Sequence, residues 1–162
     1  MSEEPLTIRK ATSADAAIIH EFICELAAYE DALESVEATA ETLHVQLSAA
    51  RPPFEALIAE IGGDPVGFAL FFANYSTWTG RPGIYLEDLF VPESNRGKGI
   101  GSALLAELSR VSLGRGGARL DWQVLDWNEP SIRYYESLDA KVLRSWLPCR
   151  LEGAALTTMA QR

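Results

Sequence analysis

Along this chain the apolar positions change their period several times, and each change marks an element. Residues 6–9 alternate like a strand, and Thr12 or Ser13 then stands where a helix cap belongs, with Asp15 in the first turn. Ile19, Phe22, Ile23 and Leu26 recur on one face, which predicts an amphipathic helix ending near Tyr29. Thr39, Leu43 and Leu47 predict a second, short helix, stopped by Arg51-Pro52-Pro53. The period then falls to that of strands. Residues 54–61 and 65–73 read as a pair joined by Gly62-Gly63-Asp64, a hairpin signal, and a polar loop over 74–83 carries Tyr75 and Trp78. A fourth strand over 84–91 runs through Pro92 and a polar turn into a helix over 99–113, whose buried face is Leu104, Leu105, Leu108 and Val111.

Gly116-Gly117 ends that helix, and residues 119–125 form a fifth strand. Strand, helix, strand in this order is a crossover unit, so strands four and five are expected to be parallel. Asn128 is placed to cap the next helix, which has Pro130 near its start and carries Ile132, Tyr135 and Leu138. Two further strands, 141–145 and 147–151, and a frayed tail complete the reading. The order predicts an α/β class, one mixed sheet of about seven strands flanked by about four helices, in a single domain over residues 1–162.

Composition narrows the partners. The 162 residues, 48% hydrophobic, suit one core. No apolar run approaches the ~20 residues of a membrane span, and Met1-Ser2-Glu3-Glu4 has the wrong charge for a secretory signal, so a soluble, cytoplasmic protein with no membrane partner is expected. The formal charge of −9, from 23 acidic and 14 basic residues, speaks against nucleic acid and weakly favours a cationic substrate. Cys24 and Cys149 make neither a CxxC pair nor a disulfide framework, and His20 and His44 stand apart, so no metal is expected.

The chemistry concentrates in residues 87–102, E-D-L-F-V-P-E-S-N-R-G-K-G-I-G-S. Gly97, Gly99 and Gly101 carry no Cβ and tolerate positive φ, so a ligand has access to the main chain. With Arg96 and Lys98 beside a helix start, the segment suits a diphosphate; the bland alternative is a glycine-rich turn with two solvated cations. A Walker loop needs its Lys after the last glycine, and the G-x-G-x-x-G fingerprint would need glycine at Ser102, so neither fits.

What remains, Arg96-x-x-Gly99-x-Gly101, resembles the acyl-CoA pyrophosphate motif of the Gcn5-related N-acetyltransferase (GNAT) superfamily. Within it the chain resembles the diamine (spermidine/spermine) and thialysine N-acetyltransferases. The matching segments are L-A-A-Y-E (26–30), N-Y-S-T-W-T-G-R (74–81), Y-L-E-D (85–88), R-G-K-G-I-G-S (96–102) and V-L-D-W-N-E-P-S-I-R-Y-Y (124–135). The resemblance implies a sheet splayed between strands four and five at a bulge, with acetyl-CoA entering the gap. Leu89, Phe90 and Val91 would offer it main-chain groups, with the Leu89 amide on the acetyl carbonyl. Arg96, Gly97, Lys98, Gly99, Ile100, Gly101 and Ser102 would bind its pyrophosphate, and Asn128, Ser131 and Tyr134 would lie near it. Asn128 has a second reading as a plain helix cap.

Acetyl transfer to an amine needs a neutral nitrogen, yet an alkylammonium has a pKa of about 10.4, so a base is required. The resemblance assigns this to Glu87, through water, and the general acid to Tyr135, with Tyr134 as the competitor. Asp88 follows Glu87, and alternation along a strand sends the two to opposite faces. Glu30, Trp78, Glu87 and Asp88 are the expected amine-site residues; the bland reading is a solvated loop for Glu30 and a purely structural role in the strand for Glu87. Asp139 stands where a glycine is usual at the end of the tyrosine's helix, and Asp tolerates the left-handed conformation. Neither cysteine occupies a matching position, so direct transfer is expected. Ser76 stands where polyamine-specific relatives place an aspartate, which favours the thialysine-type branch. The resemblance also implies a homodimer, with Trp146 near the exchanged ends. The alternatives are a protein or peptide N-acetyltransferase and a CoA-binding regulatory module without turnover.

Overall fold

Arg9 and Asp15 set the first corner of the computed structural model, which describes residues 4–162. Arg9 grips Asp15 through both terminal nitrogens, at 2.9 and 2.7 Å, and the Asp15 carboxyl, drawn down to about 2 by this partner, accepts the Thr12 amide at 2.7 Å. The chain thereby turns from β1 (Leu6–Lys10) into α1 (Ala16–Tyr29). Helix α1 buries Ala16, Ile19 and Phe22, and the Phe22 ring stacks on Phe68 at 5.6 Å. Thr39 caps α2 (Ala40–Leu47) by accepting the Thr42 amide at 3.1 Å.

The sheet follows from alternation and one tight turn. β2 (Glu55–Ile61) pairs antiparallel with β1, and Gly62-Gly63, both at positive φ, turn it into β3 (Asp64–Ser76). β3 pairs in turn with β4 (Arg81–Phe90). The polar loop expected over 74–83 is therefore shorter. Asn74, Tyr75 and Ser76 continue the ladder opposite Gly83, Pro82 and Arg81, which satisfies backbone groups that a loop would leave to water. Only residues 77–80 turn, closed by Ser76, which accepts the Gly80 amide on its carbonyl at 2.8 Å.

Helix α3 (Ile100–Gly114) buries Ile100, Leu104, Leu105 and Leu108, four positions at helical spacing. It leads to β5, which lies parallel to β4 as the crossover predicts. β5 is only Leu120–Asp121, not residues 119–125, because just Ile84↔Leu120 and Tyr85↔Asp121 pair before the strands part. The sheet order is β1-β2-β3-β4-β5, mixed, with α1 and α2 contributing to one core around Phe22, Ile58, Phe68 and Phe90.

By its internal contacts the chain forms two compact units, one ending at Gln123 and the other spanning Val124–Arg162. The second departs most from expectation. Its helix α4 (Glu129–Ser137) ends as anticipated, with Asp139 left-handed at φ 62° and the Ala140 amide reaching the Tyr135 carbonyl at 3.1 Å. Residues 141–145 and 147–151, however, form no strands. Pro148 removes a ladder donor, and no strand lies within this unit for them to pair with. The expected frayed tail is instead α5 (Gly153–Ala160), rich in alanine. The class is α/β, with five strands and five α-helices among the described residues in place of seven and four. Among those residues no helix is long and apolar enough to cross a membrane.

Candidate active site

Strand β4 positions the candidate site because its two edges are used differently. On one edge it pairs with β3 along its length, while β5 covers the other only as far as Tyr85. No strand pairs with Leu86–Phe90 on that side among the described residues, so backbone groups there face a gap in the sheet. The register also slips here. Leu70 faces Asp88 and Phe71 faces Leu86, which leaves Glu87 as the extra residue of a bulge. Strict alternation therefore lapses at this step, and the argument that sends Glu87 and Asp88 to opposite faces does not hold across it.

The bulge brings acid together. Glu87 is exposed and Asp88 is half-buried. Burial first, then repulsion from Glu87 and Glu30, pushes the Asp88 carboxyl up to about 6. Glu30 caps the C-terminus of α1, and partial burial raises its carboxyl as well. Three sequence-predicted residues thus share one electrostatic neighbourhood. Trp78 does not join them along the strands. It is exposed in the turn beyond Ser76, some six rungs from Asp88, roughly 20 Å at the rise of a strand.

Beyond β4 the chain enters the glycine segment. Leu89 faces Ala69 in the ladder, buried Phe90 faces Phe68, and Val91 follows outside the strand. Gly97 and Gly99 adopt φ of 74° and 76°, and a Cβ built at either would meet nothing within 4 Å. Open space thus lies over a backbone that only glycine adopts without strain. Gly99 is the N-cap of α3 and no side chain caps it, so the amides opening the helix keep their outward direction and its positive dipole end. Such a geometry can receive an anion. Ile100 is buried and can contribute only its main chain; Gly101 lies inside the helix without positive φ, and Ser102 is exposed in its first turn.

The two cations are not simply solvated. Lys98 Nζ donates to Asn95 Oδ1 at 2.9 Å. Arg96 Nε donates to the Val91 carbonyl at 3.0 Å, and its guanidinium lies 5.0 Å from the Tyr29 ring centroid and 5.9 Å from that of Phe90. In the sequence Tyr29 lies within the matching segment L-A-A-Y-E but carries no assigned role beyond ending a helix. The available signal is an aromatic directly before an acid, in a chain whose cationic loop lies far along the sequence.

In the second unit, Asn128 is buried and its Oδ1 accepts the Ser131 amide at 3.3 Å, so the helix-cap reading describes what it does in this structure. The rings of Tyr134 and Tyr135 lie 5.4 Å apart. Burial, then Tyr134, pushes the Tyr135 phenol up to about 12, which keeps it protonated across the neutral range. His20 and His44 meet backbone carbonyls, of Ala38 at 3.0 Å and Ser13 at 2.9 Å, and no His, Cys, Asp and Glu group suited to a metal occurs among the described residues.

Residues 20–139 match the acetyltransferase (GNAT) family. A thialysine N-epsilon-acetyltransferase of Sus scrofa is 38% identical over 164 residues, covering 94% of this chain and 96% of that protein. An L-ornithine N5-acetyltransferase of Arabidopsis thaliana is 39% identical over 118 residues, covering 72% of this chain and 52% of its own length. Among solved structures, an integron cassette protein from the mobile metagenome of V. cholerae superposes with a TM-score of 0.80 at 26% identity, covering 97% of this chain and 98% of that one.

Proposed function

Because the chain belongs to the acetyltransferase (GNAT) family, whose members use acetyl-CoA as co-substrate, we propose that it acetylates the terminal primary amine of a small diamine, polyamine or lysine-like amino acid such as thialysine. The observation that carries this substrate class is the acidic group formed by Glu87 and Asp88 at the bulge of β4 and Glu30 at the end of α1. An alkylammonium is the natural counter-ion for such a group, and the relatives named for thialysine and ornithine act on amino acids with a second amine. Residues 1–162 act as one catalytic domain in this reading, supported by a family match that runs across both compact units.

The open cradle at Gly97 and Gly99 fits a pyrophosphate, and bound acetyl-CoA would supply the activated acetyl group. Arg96, Gly97, Lys98, Gly99, Ile100, Gly101 and Ser102 hold that end, the latter four mainly through their amides. Leu89, Phe90 and Val91 present main-chain groups along the open edge of β4, with the Leu89 amide donating where negative charge develops. Glu87, exposed at the bulge, takes a proton from the ammonium through water, and Asp88 and Glu30 orient the amine. The Tyr135 phenol stays protonated across the neutral range, so it has a proton to give, and the resemblance assigns it as the donor to the leaving sulfur. Asn128, Ser131 and Tyr134 are assigned to the cofactor by the same resemblance. Transfer is direct, without an acyl-enzyme, since neither Cys24 nor Cys149 occupies a position that matches the family's site.

Thiol release from acetyl-CoA, measured against thialysine, ornithine, lysine, putrescine, spermidine and a peptide amine, tests the proposal. The small amines are expected to support turnover and the peptide is not. Tyr135→Phe is expected to lower kcat by about 10²-fold or more while CoA binding stays near wild type. Turnover on the peptide alone, or tight CoA binding with no turnover anywhere on the panel, contradicts it.

A further inference from the structure

The Arg96 side chain touches two stretches of the chain at once, the end of β4 and the end of α1. Its Nε donates to the Val91 carbonyl at 3.0 Å just past β4, and its guanidinium carbon lies over the Phe90 ring, 5.9 Å from the centroid, and over the Tyr29 ring, 5.0 Å from the centroid. Tyr29 is the last residue of α1, and the next residue is Glu30, whose charge is felt at Asp88. On its other side Arg96 is followed directly by the left-handed Gly97 and the start of the anion cradle. One cation therefore connects the loop that would receive the cofactor's phosphates with the helix end that carries an amine-site carboxylate.

An arginine packed this way is more than a charge. A lysine ammonium also attracts a ring face, but only the forked guanidinium keeps Nε on a carbonyl while its other nitrogens reach elsewhere. Such a stack also restrains the ring beneath it, and with it the backbone at the α1 terminus. An anion that draws Arg96 into one position selects one position for Tyr29 and Glu30 too. By linkage, whatever factor the cofactor adds to amine affinity the amine adds to cofactor affinity.

We propose that Arg96 couples the two halves of the site: phosphate capture at the glycine loop fixes the end of α1 through the Arg96–Tyr29 stack and so tightens binding of the amine. This rests on the functional reading above, and it makes Tyr29 a positioning residue that acts through Glu30.

The test is the dissociation constant of a substrate amine, by calorimetry, with and without saturating CoA, which lacks the acetyl group and so permits a stable ternary complex. The amine probe is whichever of thialysine, ornithine, lysine, putrescine and spermidine the wild-type chain turns over fastest. Saturating CoA is expected to tighten amine binding at least fivefold in the wild type. Tyr29→Leu removes the aromatic face and is expected to bring that ratio within twofold of one while leaving CoA affinity within threefold of wild type. Tyr29→Phe keeps the ring and is expected to keep the ratio. Arg96→Lys keeps the charge and is expected to lose the ratio, with weaker CoA binding as well. Combining Tyr29→Leu with Arg96→Lys is expected to lower the ratio no further than either change alone. A wild-type ratio of one, or a Tyr29→Leu variant that keeps the full ratio, overturns the coupling. A wild-type chain that turns over none of the small amines contradicts the functional reading itself, a distinct result.

Discussion

Folding takes the Asp88 carboxyl partly out of water and sets it beside Glu87 and Glu30, so it binds its proton more tightly in the folded chain than in the unfolded one. A carboxyl raised in this way stabilises the fold while protonated. The contribution is present below the unfolded value near 4 and is lost as the pH rises through about 6. At pH 7.5 the ionised group is therefore a cost, and Asp88→Asn is expected to stabilise the fold by on the order of 1–2 kcal/mol there, with little effect at pH 4. Denaturant titrations at the two pH values measure this. Equal stability of the variant and the wild type at pH 7.5 would refute the burial argument. Function pulls the other way, because the ionised Asp88 attracts the ammonium, so the amine KM of the wild type is expected to rise as the pH falls below about 6. Residue types alone reveal Glu30, Glu87 and Asp88 as an acidic set. They do not reveal which of the three folding perturbs, since that depends on the bulge opposite Leu70 and Phe71, a feature with no local signature.

The element that matters most is the turn from β4 into α3. Gly99 holds φ at 76° with empty space where a Cβ would go, so an alanine there meets no clash and suffers only the backbone cost. That cost is about 1–2 kcal/mol for an L-residue in the left-handed region. Gly99→Ala is expected to lower stability by about that amount and to weaken CoA binding more than tenfold as the first amides of α3 turn away from the cradle. Calorimetry with CoA and thermal melts check both, and unchanged CoA affinity would remove the cradle from the account. This element is legible because a strand, a glycine pair and an apolar helix face each leave a mark in the residues. Residues 141–151 mislead for the opposite reason. Their alternation is genuine, but a strand exists only where a partner strand supplies hydrogen bonds, and periodicity does not report a partner. The brevity of β5 is hidden in the same way, since Leu120 and Asp121 are followed by residues of equal strand propensity that leave the ladder.

At the scale of the whole molecule, the second unit presents apolar side chains to solvent: Leu143, Trp146, Leu147, Leu151, Leu156 and Met159 are all exposed. Exposed apolar side chains of this kind fit the homodimer that the resemblance implies, and we propose this segment as its interface. Light scattering coupled to size exclusion is expected to give twice the 17.8 kDa chain mass, and Leu147→Asp is expected to shift it toward the monomer. A wild-type chain that elutes as a monomer at micromolar concentration would contradict the pairing. Fold class and the glycine loop are legible in the amino-acid order because each is written in short-range patterns. Assembly and the stack of Arg96 on Tyr29 are not, because they join residues far apart in the chain or in separate chains. The central claim concerns one edge and one loop, and a crystal structure with bound CoA tests it most directly. The account predicts the pyrophosphate at about 3 Å from the amides of Gly97 to Ser102 and the pantetheine arm paired with β4 at Leu89 to Val91. Coenzyme bound elsewhere, with that edge of β4 bare, would contradict it.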